Sequence, residues 1–185
     1  MRACTLCAAH LPHGPRPIVQ ASAGARLLIV GQAPGARVHA SGVPWSDASG
    51  RRLRNWLQLD EATFFDARRV AIVPMGFCYP GKASSGDAPP RPECRQAWHP
   101  RLLPLLPDVR LTLLVGHHAQ AYFLGGGRKT TSGDTVRAWR EYCRTTCPCR
   151  IPVRATSRGS CAIRGSNPTC CRRFARACAT AWSTA

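Results

Sequence analysis

Acidic residues are scarce in this chain and end altogether at Glu141: nine Asp and Glu stand against 26 Lys and Arg, and none of the nine falls in the last 43 residues. Lysine is also rare, limited to Lys82 and Lys129. No run of about 18 apolar residues occurs, which excludes a membrane-spanning helix and makes a membrane partner unexpected. The start of the chain carries no apolar signal core, so we expect a cytoplasmic protein with reduced thiols. Neither the Lys-Ser/Thr of a phosphate-binding P-loop nor the three-glycine dinucleotide pattern is present, which argues against a nucleotide cofactor. Internal repeats are missing too. A length of 185 residues suits one domain with an adequate core.

What is there divides at Cys143. The segment from Cys143 onward holds seven of the eleven cysteines and eight arginines, with no Asp, Glu or Lys. It shows neither a 3.6-residue nor a 2-residue apolar period. Basic tails are rarely rich in cysteine, and disulfide modules rarely lack every acid. GC-rich coding DNA read out of frame produces this composition directly. We therefore expect a domain over residues 1–142 and an out-of-frame tail without a stable fold over residues 143–185. Setting aside the eight tail arginines leaves 18 basic and 9 acidic residues, a formal charge of +9 on the first part. Such a balance favours a polyanionic partner, most often nucleic acid. An arginine-rich proteome would give the same excess with no partner implied.

Arg26-Leu-Leu-Ile-Val30 reads as a buried parallel strand that ends in Gly31, and Gly31-Gln-Ala-Pro-Gly35 as a tight loop after it. Ser49 to Leu59 suits a helix with Leu53, Trp56 and Leu57 on one face, and Arg51, Arg52 and Arg54 lying largely away from it. Val70-Ala-Ile-Val73 and Leu111-Thr-Leu-Leu-Val115 are further strands, with a helical stretch from Glu93 to Leu106, interrupted by Pro100 and Pro104, between them and a short helix from His118 to Leu124 after them. Ser84 to Pro92 is polar, rich in Gly and Pro, and expected to be exposed and mobile. Strands alternating with helices imply a three-layer α/β domain whose site lies beyond the carboxyl ends of a parallel sheet.

The loop after the first strand offers backbone N–H groups to an anion or a polar ligand, though many α/β proteins use such a turn only for packing. The longer motif that this loop begins is more specific. Gly31-Gln-Ala-Pro-Gly35, then Gly42-Val-Pro-Trp45 with Ser46-Asp47, then Ser49-Gly50 and a helix with Leu53, resembles the uracil-DNA glycosylase superfamily, nearest its iron–sulfur branches. The resemblance covers roughly residues 3 to 142. It implies an α/β/α fold with a central parallel four-stranded sheet. It also implies a monofunctional DNA glycosylase, a monomer acting on DNA with a damaged base in base excision repair. Gly31, Ala33, Pro34 and Gly35 would border the scissile bond, Gln32 would stand near the attacking water, and Trp45 would stack on the flipped base. A neutral amide orients water but cannot take its proton. Trp45 read on its own is equally a half-buried core indole. Uracil-specific relatives carry an Asn at the end of the second strand; Pro74 occupies that place here and offers no side-chain donor.

Cys4 and Cys7 form a C-x2-C pair, and fifteen residues separate Cys78 from Cys94. Spacing alone suits a structural zinc as well as a cluster. The resemblance implies that the four hold a [4Fe-4S] cluster, with structural zinc as the alternative.

Restoring one base at the Tyr142/Cys143 junction permits a tail containing His-Pro-Ser-Pro-Arg-Asn, which resembles the second signature of the same superfamily. In relatives its histidine stabilises the charge that develops on the leaving base. The chain as it stands lacks that signature and is expected to be impaired or inactive. His117 and His118 follow Gly116, but a pair of surface or capping histidines is the better reading of them. The competing function is a non-catalytic nucleic-acid-binding protein with a structural four-cysteine metal site.

Overall fold

The computed structural model describes residues 1–142. Three parallel strands carry it: β1 (Leu27–Val30), β2 (Val70–Ile72) and β3 (Leu111–Leu114), in the order β2-β1-β3. Leu27 aligns with Val70 on one side and Leu111 on the other, and Val30 aligns with Leu114. All four β1 residues are buried, as an unbroken apolar run in a central parallel strand requires. Alternation along β1 divides the core in two. Leu27 and Ile29 pack with Leu53, Leu57 and Phe64, while Leu28 and Val30 pack with Cys94, Leu106 and Ala119.

Helices cover both faces, so the layers are α/β/α. Three of them, α1 (Ala36–Ser41), α2 (Ala48–Leu57) and α3 (Glu61–Phe65), lie between β1 and β2. α4 (Pro92–Leu102) precedes β3; α5 (His117–Leu124) and α6 (Ser132–Arg137) follow it. Local chemistry sets the ends. The Asp47 carboxylate caps α2 by accepting from Gly50 N–H at 2.9 Å, and Asp60 caps α3 by accepting from Thr63 N–H at 2.6 Å. The helical stretch expected from Glu93 to Leu106 breaks into α4 and a 3-10 turn over Leu103–Leu105, with Pro104 inside the turn, while Pro100 is held within α4. Residues ahead of β1 shield the outer edge of β2: Gln20 and Ile72 exchange backbone hydrogen bonds of 3.1 and 2.6 Å in an antiparallel bridge.

A four-stranded sheet was expected, and three of its strands are found among the described residues. The expectation that residues 143–185 have no stable fold lies outside the described residues. No described helix is long and apolar enough to cross a membrane.

Leu53 is fully buried against β1, whereas Leu105 is 63% exposed. Urea unfolding should therefore show Leu53→Ala losing about 2–5 kcal/mol, and Leu105→Ala staying within about 0.5 kcal/mol of the parent.

Candidate active site

The three strands end together. Val30 C=O accepts from Val115 N–H at 2.8 Å, Ile29 C=O from Val73 N–H at 3.0 Å, and Gly31 C=O from Met75 N–H at 2.9 Å. Beyond this seam lies a cavity of about 360 Å³. Gly31, Gln32, Ala33, Pro34, Gly35 and Trp45 all line it, so the six residues expected to form the base site are brought together. Pro74 and Gly116, at the ends of the flanking strands, complete its floor.

Trp45 is placed by strain and by two glycines. Its φ of 56° is left-handed, an uncommon state for a bulky residue that costs on the order of 1–3 kcal/mol. A Cβ on Gly31 would stand 3.0 Å from the indole ring, and a Cβ on Gly50 would stand 1.6 Å from the Trp45 carbonyl oxygen. Only glycine fits at Gly50. The indole lines the cavity and, half-buried, also packs against the core around Leu27, Ile29 and Leu53.

Gln32 donates its amide N–H to Ala88 C=O at 3.2 Å, which joins the loop after β1 to the segment around Ser85 and Asp87. That segment was expected only as an exposed stretch. It is exposed, yet Ser85 and Asp87 line the cavity, and a short turn closed by Lys82 Nζ on Asp87 Oδ1 at 2.9 Å holds it. Asp47 and Ser49, at the start of α2, line it as well. Sequence reading gave none of these four a role in the site. The turn sequence Ser-Gly-Asp was the available signal for the first two.

Pro74, in the Asn place, faces the cavity, and its carbonyl accepts from His99 Nε2–H at 2.9 Å. A carbonyl only accepts, so the proton of His99 lies on Nε2, and Nδ1 is buried without a partner. Burial holds His99 below the ordinary histidine range. Burial, then the neighbouring His117, depresses His118 also. His117 pairs with Arg128 at 3.2 Å. Neither His117, which is exposed, nor His118, which is half-buried, lines the cavity.

Cys4, Cys7, Cys78 and Cys94 converge on a second, smaller cavity between the N-terminal segment, the loop after β2 and α4. Phe77 N–H donates to Cys94 Sγ, and Trp98 Nε1–H to Cys4 Sγ, each at 3.3 Å. Burial raises Cys7 and Cys78 and pushes Cys94 up to about 11. Among the described residues no three Cys, His, Asp or Glu side chains are grouped to hold a single metal ion.

A parallel sheet covered on both faces, with a cavity at its strand ends, is the frame of an α/β domain whose ligand site lies beyond the carboxyl ends of the strands. The chain belongs to the uracil DNA glycosylase superfamily, whose family model matches residues 19–174. Members of that family are DNA glycosylases, hydrolases that act on DNA. The match begins after Cys4 and Cys7 and runs past Tyr142, so its bounds differ at both ends from those of the motif resemblance. No histidine occurs after His118, so the His-Pro signature is not spelled in the matched tail.

Gly50→Ala should abolish the Trp45 turn, giving a lost near-ultraviolet Trp signal and a midpoint of thermal unfolding several degrees lower. Gly133→Ala, in α6 with only the Thr131 hydroxyl at 3.7 Å, should be neutral or slightly stabilising in the same melt.

Proposed function

We propose that this chain is a monofunctional DNA glycosylase that flips a uracil or another damaged base into the Trp45 cavity and hydrolyses its N-glycosidic bond. The observation that carries this reading is the indole set against Gly31 beside Gln32, at the ends of β1 and β3. The excess positive charge draws the DNA backbone, and the extruded base stacks on Trp45. Gln32 has committed one side-chain amide N–H to Ala88, so its second N–H and its side-chain carbonyl oxygen are left to orient water. Water adds to C1′ as the C1′–N bond breaks. The electron pair leaves with the base, the water's surplus proton passes to solvent or the base, and an abasic site remains. The cavity lining holds no lysine, which supports hydrolysis over Schiff-base lyase chemistry. We assign the protein a monomeric, cytoplasmic role in base excision repair.

The four cysteines suit a [4Fe-4S] cluster by their chemistry: soft thiols around one cavity, with N–H groups directed at two sulfurs. Four sulfurs on one Zn²⁺ would crowd within about 4 Å of each other. When bound, the group is a structural clamp and takes no part in the hydrolysis. Cys4 and Cys7 would hold it from the N-terminal segment, Cys78 from the loop after β2, and Cys94 from α4. Cys94→Ser should lower the iron content and the visible absorbance of anaerobically purified protein, and the melting temperature with them.

The tail reading belongs to the same proposal: residues 143–185 are the product of a lost base, and the parent protein carries a His-Pro-Ser-Pro signature there. Uracil-containing single- and double-stranded DNA, treated with alkali after incubation, provides the test. The product of a gene with the base restored should give strand breaks, and the 185-residue chain should run about 10²–10³ slower. Trp45→Ala in the restored protein should slow excision further. Binding without breaks in either protein would instead support a nucleic-acid-binding protein without activity.

A further inference from the structure

We infer that Arg54 is a positioning residue that holds Trp45 in its base-stacking pose from behind the cavity. The inference rests on the glycosylase reading only for what the pose is used for. Arg54 lies on α2 and is 6% exposed, the one cation among the buried residues described. Its guanidinium donates to the Trp45 carbonyl at 3.3 Å and to Glu61 Oε1 at 2.6 Å. It also lies over the rings of Phe64 and Phe65, 5.5 and 5.2 Å from their centroids. Burying a guanidinium is costly unless its donors are used, so a buried Arg with this set of contacts has a specific task.

That task is set by the backbone. Trp45 is held at a φ of 56°, and relaxing it would swing the indole off Gly31. The Trp45 carbonyl is turned inward onto Gly50 and needs a donor there. Arg54 supplies it, with the Phe64–Phe65 pair fixing the guanidinium and Glu61 steadying its outer side. The side chain is too buried to reach a phosphate, which separates it from Arg51, exposed on the same helix. Arg54 thus acts on the base through Trp45 and touches neither DNA nor substrate. A displaced stacking wall misplaces the sugar against the water, and small misplacements of this kind cost catalysis more than binding.

The test uses Arg54→Met, which keeps the apolar stem against the two rings, with Arg54→Lys and Glu61→Gln, all in the full 185-residue chain and again with the frame restored. The Trp45 indole N–H signal, assigned in ¹⁵N spectra by its loss in Trp45→Phe, is read beside excision rate and affinity for undamaged duplex. In Arg54→Met the Trp45 signal should shift or split while the other indole signals hold. The excision rate constant should fall about tenfold with duplex affinity unchanged. Arg54→Lys should recover part of both effects. Glu61 is 73% exposed, so Glu61→Gln should leave the Trp45 signal in place. An unmoved Trp45 signal and unchanged excision in Arg54→Met overturn the inference, as does an equal loss of affinity for all DNA. Should Arg54→Met fail to fold, Arg54→Lys carries the same two readouts. If no protein in the series excises a base, the glycosylase reading fails, and the indole signal still decides the role of Arg54.

Discussion

The last carbonyls of β1 are claimed from both sides, and the site depends on that grip. Val115 holds Val30, while Val73 and Met75 hold Ile29 and Gly31. Each flanking chain leaves its strand at the place where β1 leaves its own, so three loops open over one patch of floor. The loop from Gly31 to Gly35 has little freedom once its first carbonyl is fixed. Gly76 N–H then takes the Gln32 carbonyl at 2.9 Å, so the second residue of the loop is fixed as well. A base-sized cavity here is a consequence of strand register and needs no further device to keep its floor in place.

Its walls are less cheaply made. One is an indole in a left-handed backbone, tolerated because Gly31 and Gly50 leave no Cβ in its way and because the Asp47 cap fixes the adjoining turn. The opposite wall is the Ser85–Asp87 turn, tied to Gln32 through the Ala88 carbonyl. Pro74 turns its carbonyl toward His99, where relatives specific for uracil place an amide that reads the base. The polar side chains that share the cavity are those of Gln32, Asp47, Ser49, Ser85 and Asp87.

The parts of this arrangement that were legible in the sequence are those fixed by local chemistry. Unbroken apolar runs of four or five residues ending in Gly or Pro marked the strands to within a residue, because both faces of a central parallel sheet are buried. The Gly31–Gly35 loop and Trp45 were legible through their motif, and the cysteines through their spacing. The Asp87 wall was not, since its place depends on the Gln32 amide 56 positions removed in sequence. Arg54 was hidden for a related reason: beside Arg51 and Arg52 it reads as one more solvated charge, and only the turn of α2 buries it. The break of the α4 region at Leu102 follows from Pro104, as expected, whereas Pro100, also expected to interrupt the helix, is carried inside α4.

The charge inside the cavity bears on the missing signature. Two carboxylates line it, Asp47 capping α2 and Asp87 paired with Lys82 at 2.9 Å, and no Arg, Lys or His lines it among the described residues. Negative groups beside the sugar favour a transition state with oxocarbenium character, because positive charge builds there as the bond stretches. The same groups oppose the departing base, on which negative charge grows. An enzyme built only from these residues would help one half of the charge separation and hinder the other. Charge balance at such a site asks for a donor or cation on the far side of the base, and none of the described residues that line the cavity is a cation.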